Sequence, residues 1–241
     1  MRIAVLVSLF TASGFFLAGK LSLPDALFLS VLIVVLPGWA IGQQRIAGVA
    51  IISRKQAYLT SGMAIMCLGC VSLVLGVGLD GTGSLVHYLQ SEDWFREILL
   101  ALTLTGVGIA ILLTFSLLRR HLGISETEIT TYLIPVTKKE KVFFGLLSVC
   151  AGFGEEVAFR AYAVPTVIEV GCPPLVAVML TSIAFGMVHS YQGFLGVVRA
   201  GTFGILMGST LLYTGSLWGL ILAHTAIDLL VGLVFSEKFI D

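Results

Sequence analysis

The chain has 241 residues, is 57% hydrophobic and only 12% charged, and balances 14 basic against 14 acidic residues; its mean hydropathy is +1.03. A soluble domain carries about 25% charged residues, so the composition points away from a water-soluble globule and towards a membrane bundle. The neutral balance supplies no basic surface for nucleic acid.

A bilayer-spanning helix needs about 20 mostly apolar residues. Eight stretches approach this: 3–19, 26–41, 62–79 and 98–118 in the first half, then 142–164, 174–189, 194–212 and 216–235. The first follows a lone Arg2 and has no clear cleavage site, so it reads as a retained helix rather than a signal peptide. Loop charges set the sidedness. Arg45, Arg54 and Lys55 lie between the second and third stretches, and Arg119, Arg120, Lys138, Lys139 and Lys141 between the fourth and fifth. Between the third and fourth lie Asp80, Glu92, Asp93 and Glu97 against Arg96 alone. Basic loops stay cytoplasmic, so the alternation predicts both termini inside and the TGS turn at 214–216 outside. Tyr88, Trp94, Tyr213 and Trp218 fall near predicted boundaries, where amphipathic rings are favoured. The 119–141 loop is the main expected cytoplasmic element, and ISETEITTYL within it suits a short interfacial helix. Cys67 and Cys70 have a redox-like spacing but no histidine beside them. With Cys150 and Cys172 they read as packing residues in apolar helices. Gly204 and Gly208 form a small-xxx-small pair suited to close helix contact, within the chain or between chains. The expected fold class is therefore all-α, a polytopic membrane helix bundle of about eight helices. It forms a single membrane domain over 1–241, with N-terminal helices over 1–118 and a second helical region over 142–235.

The stretch GFGEEVAFRAY, residues 152–162, places two glutamates and an arginine inside the fifth span. Ionised groups in hydrocarbon are costly and normally face protein or a wet cavity. Glu156 and Arg160 are four apart and share a helix face, which explains that pair. Glu155 sits about 100° round the helix and is left over. The simplest division assigns chemistry to Glu155 and support to Glu156 with Arg160; the reverse division and a purely structural network stay open. Phe185 and His189 are four apart in the sixth span, and His224 and Asp228 four apart in the eighth, while His87 and His121 fall in loops.

A carboxylate beside a histidine can hold and deprotonate a water for attack on a peptide carbonyl, and a second histidine can stabilise the oxyanion. This chemistry calls for no cofactor. A zinc site from Glu155, His189 and His224 is the competing arrangement, although HExxH is absent. Ser182, Ser190 and Ser209 lie outside any GxSxG, and GLDGTGS at 78–84 lacks the P-loop lysine.

Three motifs carry a family resemblance: EEVAFR at 155–160, FGMVH at 185–189 and HTAID at 224–228. In order and spacing they resemble the EExxxR, FxxxH and Hxxx(N/D) motifs of the CPBP family, the CAAX proteases and bacteriocin-processing enzymes also called the Abi family. The residues 204–230 also look like its last conserved region. The resemblance implies a glutamic-type intramembrane endopeptidase whose catalytic core covers 142–235. It makes Glu155 the general base, assisted by His189, and puts His224 and Asp228 at positions linked with water organisation and oxyanion stabilisation. Glu156 and Arg160 match the supporting acid and arginine, with Phe185 heading the second motif. Asp228 as a carboxylate accepts hydrogen bonds but cannot donate one, so it would orient His224 or stay protonated. Ala161 stands where the family commonly has glycine.

The implied partners are the lipid bilayer and a peptide or protein substrate, membrane-associated or prenylated ones included. The implied location is the cell membrane, with several passes. A non-catalytic bacteriocin-immunity or scaffold protein and a proton-coupled transporter remain alternatives. Straight helices with these boundaries leave an axial mismatch of several ångströms between Glu155, His189 and His224. Tilt, a longer fifth span, or a sixth span starting below the surface after Pro173 and Pro174 would close it.

Overall fold

The computed structural model describes residues 7, 11–14, 19–43, 52–78, 83–91 and 93–234. The first expected span, 3–19, lies largely outside the described residues, as do both chain ends. Among the described residues six continuous helical stretches are long and apolar enough to cross a bilayer. They include α1 (Leu23–Gly42), α2 (Arg54–Val77) and α3 (Trp94–His121). The fourth runs Lys138–Glu169 and begins with α4 (Lys138–Glu155). The fifth, Pro174–Thr214, is 41 residues long, which at about 1.5 Å per residue is about twice the hydrocarbon thickness. It folds back at a 3₁₀ turn, His189–Gln192, into α5 (Pro174–Val188) and α6 (Gly193–Thr214). The last stretch begins with α7 (Leu217–Leu229). An eighth span is thus not counted among the described residues.

Local chemistry sets the ends. Ser53 with Gln56, and Thr137 with Glu140, form capping boxes that start α2 and α4. Gly215, left-handed at φ 68°, ends α6, and Ser216 caps α7. The 119–141 loop contains a short helix, Glu128–Tyr132. His87 and His121, expected in loops, lie in the helices Leu85–Leu89 and α3.

Side chains are sorted as lipid requires. Large apolar residues line the outer faces: Phe95 is 77% exposed and Met63 71%. In water such a surface would drive association; in a bilayer it is solvated. The best-buried segment is one that carries charge, Glu156–Ala163, every residue of which is buried.

Glycines set the helix spacing. A Cβ on Gly204 would lie 2.8 Å from Ser182 Cβ and one on Gly208 3.0 Å from Val178 Cγ1, so this pair packs α6 antiparallel on α5 within the chain. α4 lies between α2 and α7 and touches both at backbone range. A Cβ on Gly69 would stand 2.7 Å from Gly154 Cα, and one on Gly152 would collide with Thr225 Oγ1 of α7. A Cβ on Gly154 would strike the Ile65 carbonyl oxygen. Gly154→Ala therefore pushes α2 and α4 apart. It is expected to lower the thermal midpoint in lipid nanodiscs by more than Gly106→Ala, whose Cβ meets nothing within 4 Å.

Segments grouped on one side by charge meet each other. Arg54 donates to the Tyr132 carbonyl and pairs with Glu140, and Thr127 Oγ1 donates to the Tyr191 carbonyl. At the other end Arg96 donates to the Thr214 carbonyl, and the buried Glu97 carboxylate accepts from Ser216 Oγ and the Gly219 amide. Trp94 and Trp218 stack with centroids 5.7 Å apart there.

Candidate active site

The fourth stretch changes character where its charges begin. α4 gives way at Glu156 to a π-helical segment, Glu156–Ala163, before Val164–Glu169 closes the stretch. Such wide turns recur at functional sites. Gly152 just before it brings α7 close enough for His224 to face both glutamates. His224 Nδ1 lies 2.7 Å from Glu156 Oε1, while Nε2 lies 3.8 Å from Glu155 Oε2 and 3.8 Å from Asp228 Oδ2. Only the first is a hydrogen bond; Nδ1–H donates to Glu156. Glu156 rather than Asp228 thus fixes the ring, although Asp228 is the acid on the same helix.

Glu156 Oε1 also faces Arg160 Nη1 at 3.1 Å, in a pair sealed from solvent. The Arg160 guanidinium lies 4.0 Å from the centroid of Phe185, a cation–π contact. Phe185 packs edge-on against Phe159 at 5.2 Å and against His189 at 4.6 Å. The Phe185 carbonyl is 2.9 Å from His189 Nδ1. That bond assigns the proton to Nδ1 and leaves Nε2 as the acceptor in the neutral ring. Arg160 and Phe185 therefore link Glu156 to His189 across two helices.

Exposure is graded through the cluster. The Glu156 side chain is 0% exposed, Glu155 13%, His224 16% and Asp228 35%. The site is closed behind Glu156 and opens towards Asp228. One oxygen of Glu155, Oε2, is buried and has no hydrogen-bond partner among the described residues. Around it stand a pinned imidazole and a second carboxylate. Among the described residues no three His, Cys, Asp or Glu side chains gather as metal ligands do, so Glu155, His189 and His224 do not form such a set.

Residues 138–230 match the family model described as type II CAAX prenyl endopeptidase Rce1-like. The match runs from the first residue of α4 to just past α7 and contains every residue of the cluster. It agrees with the CPBP likeness of the three motifs. With the six apolar helices it supports a multi-pass membrane endopeptidase. No curated protein and no solved structure matches the chain.

The structure adds residues that the motif reading did not single out. Gly152 permits the approach of α7 that lets His224 reach the glutamates, while Gly154 permits that of α2, and the sequence signal was the GFG at 152–154 ahead of EE. Tyr191 follows His189, the last residue of the second motif, by two and lies near it, with centroids 6.0 Å apart; no pattern in the sequence marked it.

Proposed function

We propose that this chain is a glutamic-type intramembrane endopeptidase of the cell membrane, with both termini cytoplasmic and Glu155 as the general base. The observation that carries the proposal is the placement of Glu155 Oε2 and Asp228 Oδ2 each 3.8 Å from His224 Nε2, with Glu155 Oε2 otherwise without a partner. Atoms 3.8 Å apart cannot hydrogen-bond directly. A water off their axis can reach both at about 2.8 Å.

The proposed step begins with that water. Its oxygen attacks the scissile carbonyl carbon while its proton passes to Glu155, assisted by His189 through Nε2. The carbonyl π pair moves onto oxygen and forms a tetrahedral oxyanion near His224. Collapse restores the carbonyl and breaks the C–N bond. The proton held by Glu155 goes to the departing amine. Glu156 keeps His224 oriented through Nδ1, and Arg160 balances the sealed carboxylate. Asp228, on the open side, orders water and substrate. The substrate class proposed is a membrane-associated peptide, with prenylated C-terminal segments foremost because the family description names them.

The protein in lipid nanodiscs, incubated with prenylated and unprenylated peptides of one sequence, is expected to cut one internal bond and give one pair of fragments, read by mass spectrometry, faster from the prenylated form. No cleavage of either form would remove the proposal and favour a non-catalytic or transport role.

A further inference from the structure

The proposed chemistry leaves an oxyanion short of donors. Asp228 and Glu155 are acceptors when ionised, His224 Nδ1–H is spent on Glu156 so that its Nε2 donates only in the protonated ring, and His189 Nδ1–H is spent on the Phe185 carbonyl. One oriented donor beside the cluster has no role in the three motifs. Tyr191 lies in the 3₁₀ turn that begins with His189. Its hydroxyl oxygen accepts from Gln192 Nε2 at 3.0 Å, so its own hydrogen is available to donate. Tyr191 is 36% exposed, and its ring centroid lies 6.0 Å from that of His189.

The turn is held from outside the cluster. Gln192 Oε1 accepts from Arg199 Nη2 at 2.8 Å, and Arg199 lies 3.7 Å from Glu126. Thr127 Oγ1 donates to the Tyr191 carbonyl at 2.8 Å. The 119–141 loop and α6 therefore fix both the backbone and the hydroxyl of Tyr191. A donor fixed before the reaction needs no reorganisation as charge develops, which is the condition for effective oxyanion stabilisation.

We propose that Tyr191 is a further catalytic residue, its O–H donating to the substrate carbonyl oxygen as this becomes an oxyanion. The inference rests on the endopeptidase reading. It adds a donor on the His189 turn to a site otherwise rich in acceptors, and makes Gln192 and Arg199 its positioning residues.

The test compares wild type with Tyr191→Phe in nanodiscs, using a prenylated peptide substrate and a peptidyl difluoroketone, whose hydrate copies the tetrahedral intermediate. Tyr191→Phe is expected to lower kcat by on the order of 10²-fold with KM unchanged. It is expected to weaken the difluoroketone by a similar factor while leaving an uncleavable substrate analogue bound as before. Gln192→Leu, which removes the bond that orients the hydroxyl and the Arg199 contact behind it, is expected to give a smaller loss in kcat in the same direction. Wild-type cleavage with an unchanged kcat in Tyr191→Phe would overturn the inference and leave the endopeptidase reading standing. A raised KM with unchanged kcat would overturn it too, as that is the signature of ground-state binding. Absence of wild-type cleavage would remove both.

Discussion

Glu155→Gln is expected to reduce peptide cleavage by about 10²–10⁴-fold, the range general acid–base catalysis supplies, while the protein keeps its fold. Glutamine preserves the size and one acceptor oxygen of the side chain but cannot take a proton from water. The oxygen concerned has no other partner to lose among the described residues, so the change leaves no broken hydrogen bond there. The measurement is single-turnover cleavage in nanodiscs, with the thermal midpoint recorded alongside. Full activity in Glu155→Gln would remove Glu155 as the base.

The second large effect concerns stability. Glu156 and Arg160 are 0% and 2% exposed and meet at 3.1 Å. Removing one partner of a buried ion pair typically costs about 3–5 kcal/mol, because the other charge is left uncompensated. Glu156→Ala leaves the Arg160 guanidinium on the Phe185 ring without its ion-pair partner and takes the acceptor from His224 Nδ1. A fall of about 6–20 °C in the thermal midpoint is expected for a chain of this size. Activity is expected to be lost as well. The paired replacement Glu156→Leu with Arg160→Met fills the same volume without charge, and such swaps are often neutral or stabilising. It is expected to recover the midpoint but not cleavage, because His224 still lacks its acceptor. Recovery of cleavage in the double variant would show that holding His224 is not the function of Glu156.

Much of the cluster was legible before any coordinates. Charges are so expensive in hydrocarbon that an intramembrane Glu, His or Asp stands out, and spacings of four in EEVAFR, FGMVH and HTAID lay the pairs on common faces. The Glu156–Arg160 pair follows from that rule. The bond between His224 and Glu156 does not, because it joins residues 68 apart in sequence. Face geometry pointed instead to Asp228 as the acid beside His224, and that residue stands 3.8 Å away. Reading an ideal helix through residues 155 and 156 assigns the two glutamates to different faces. The π-helical segment from Glu156 and the close approach of α7 at Gly152 bring one imidazole to both. The expected axial mismatch follows from the span boundaries. Hydropathy predicts a fifth span over 142–164, whereas the helical stretch runs Lys138–Glu169.

The amino-acid sequence by itself determined the solvent this protein needs, the approximate helices and the residue types available for chemistry. Those properties follow from local hydropathy and from the free energy of placing each side chain in lipid. Tertiary structure alone decided which carboxylate holds which imidazole, which side of the cluster is open, and that Tyr191 stands beside it. These depend on where helix backbones can touch, at Gly152 with Thr225 and Gly154 with Ile65, and such contacts between distant segments leave no periodic trace in the chain.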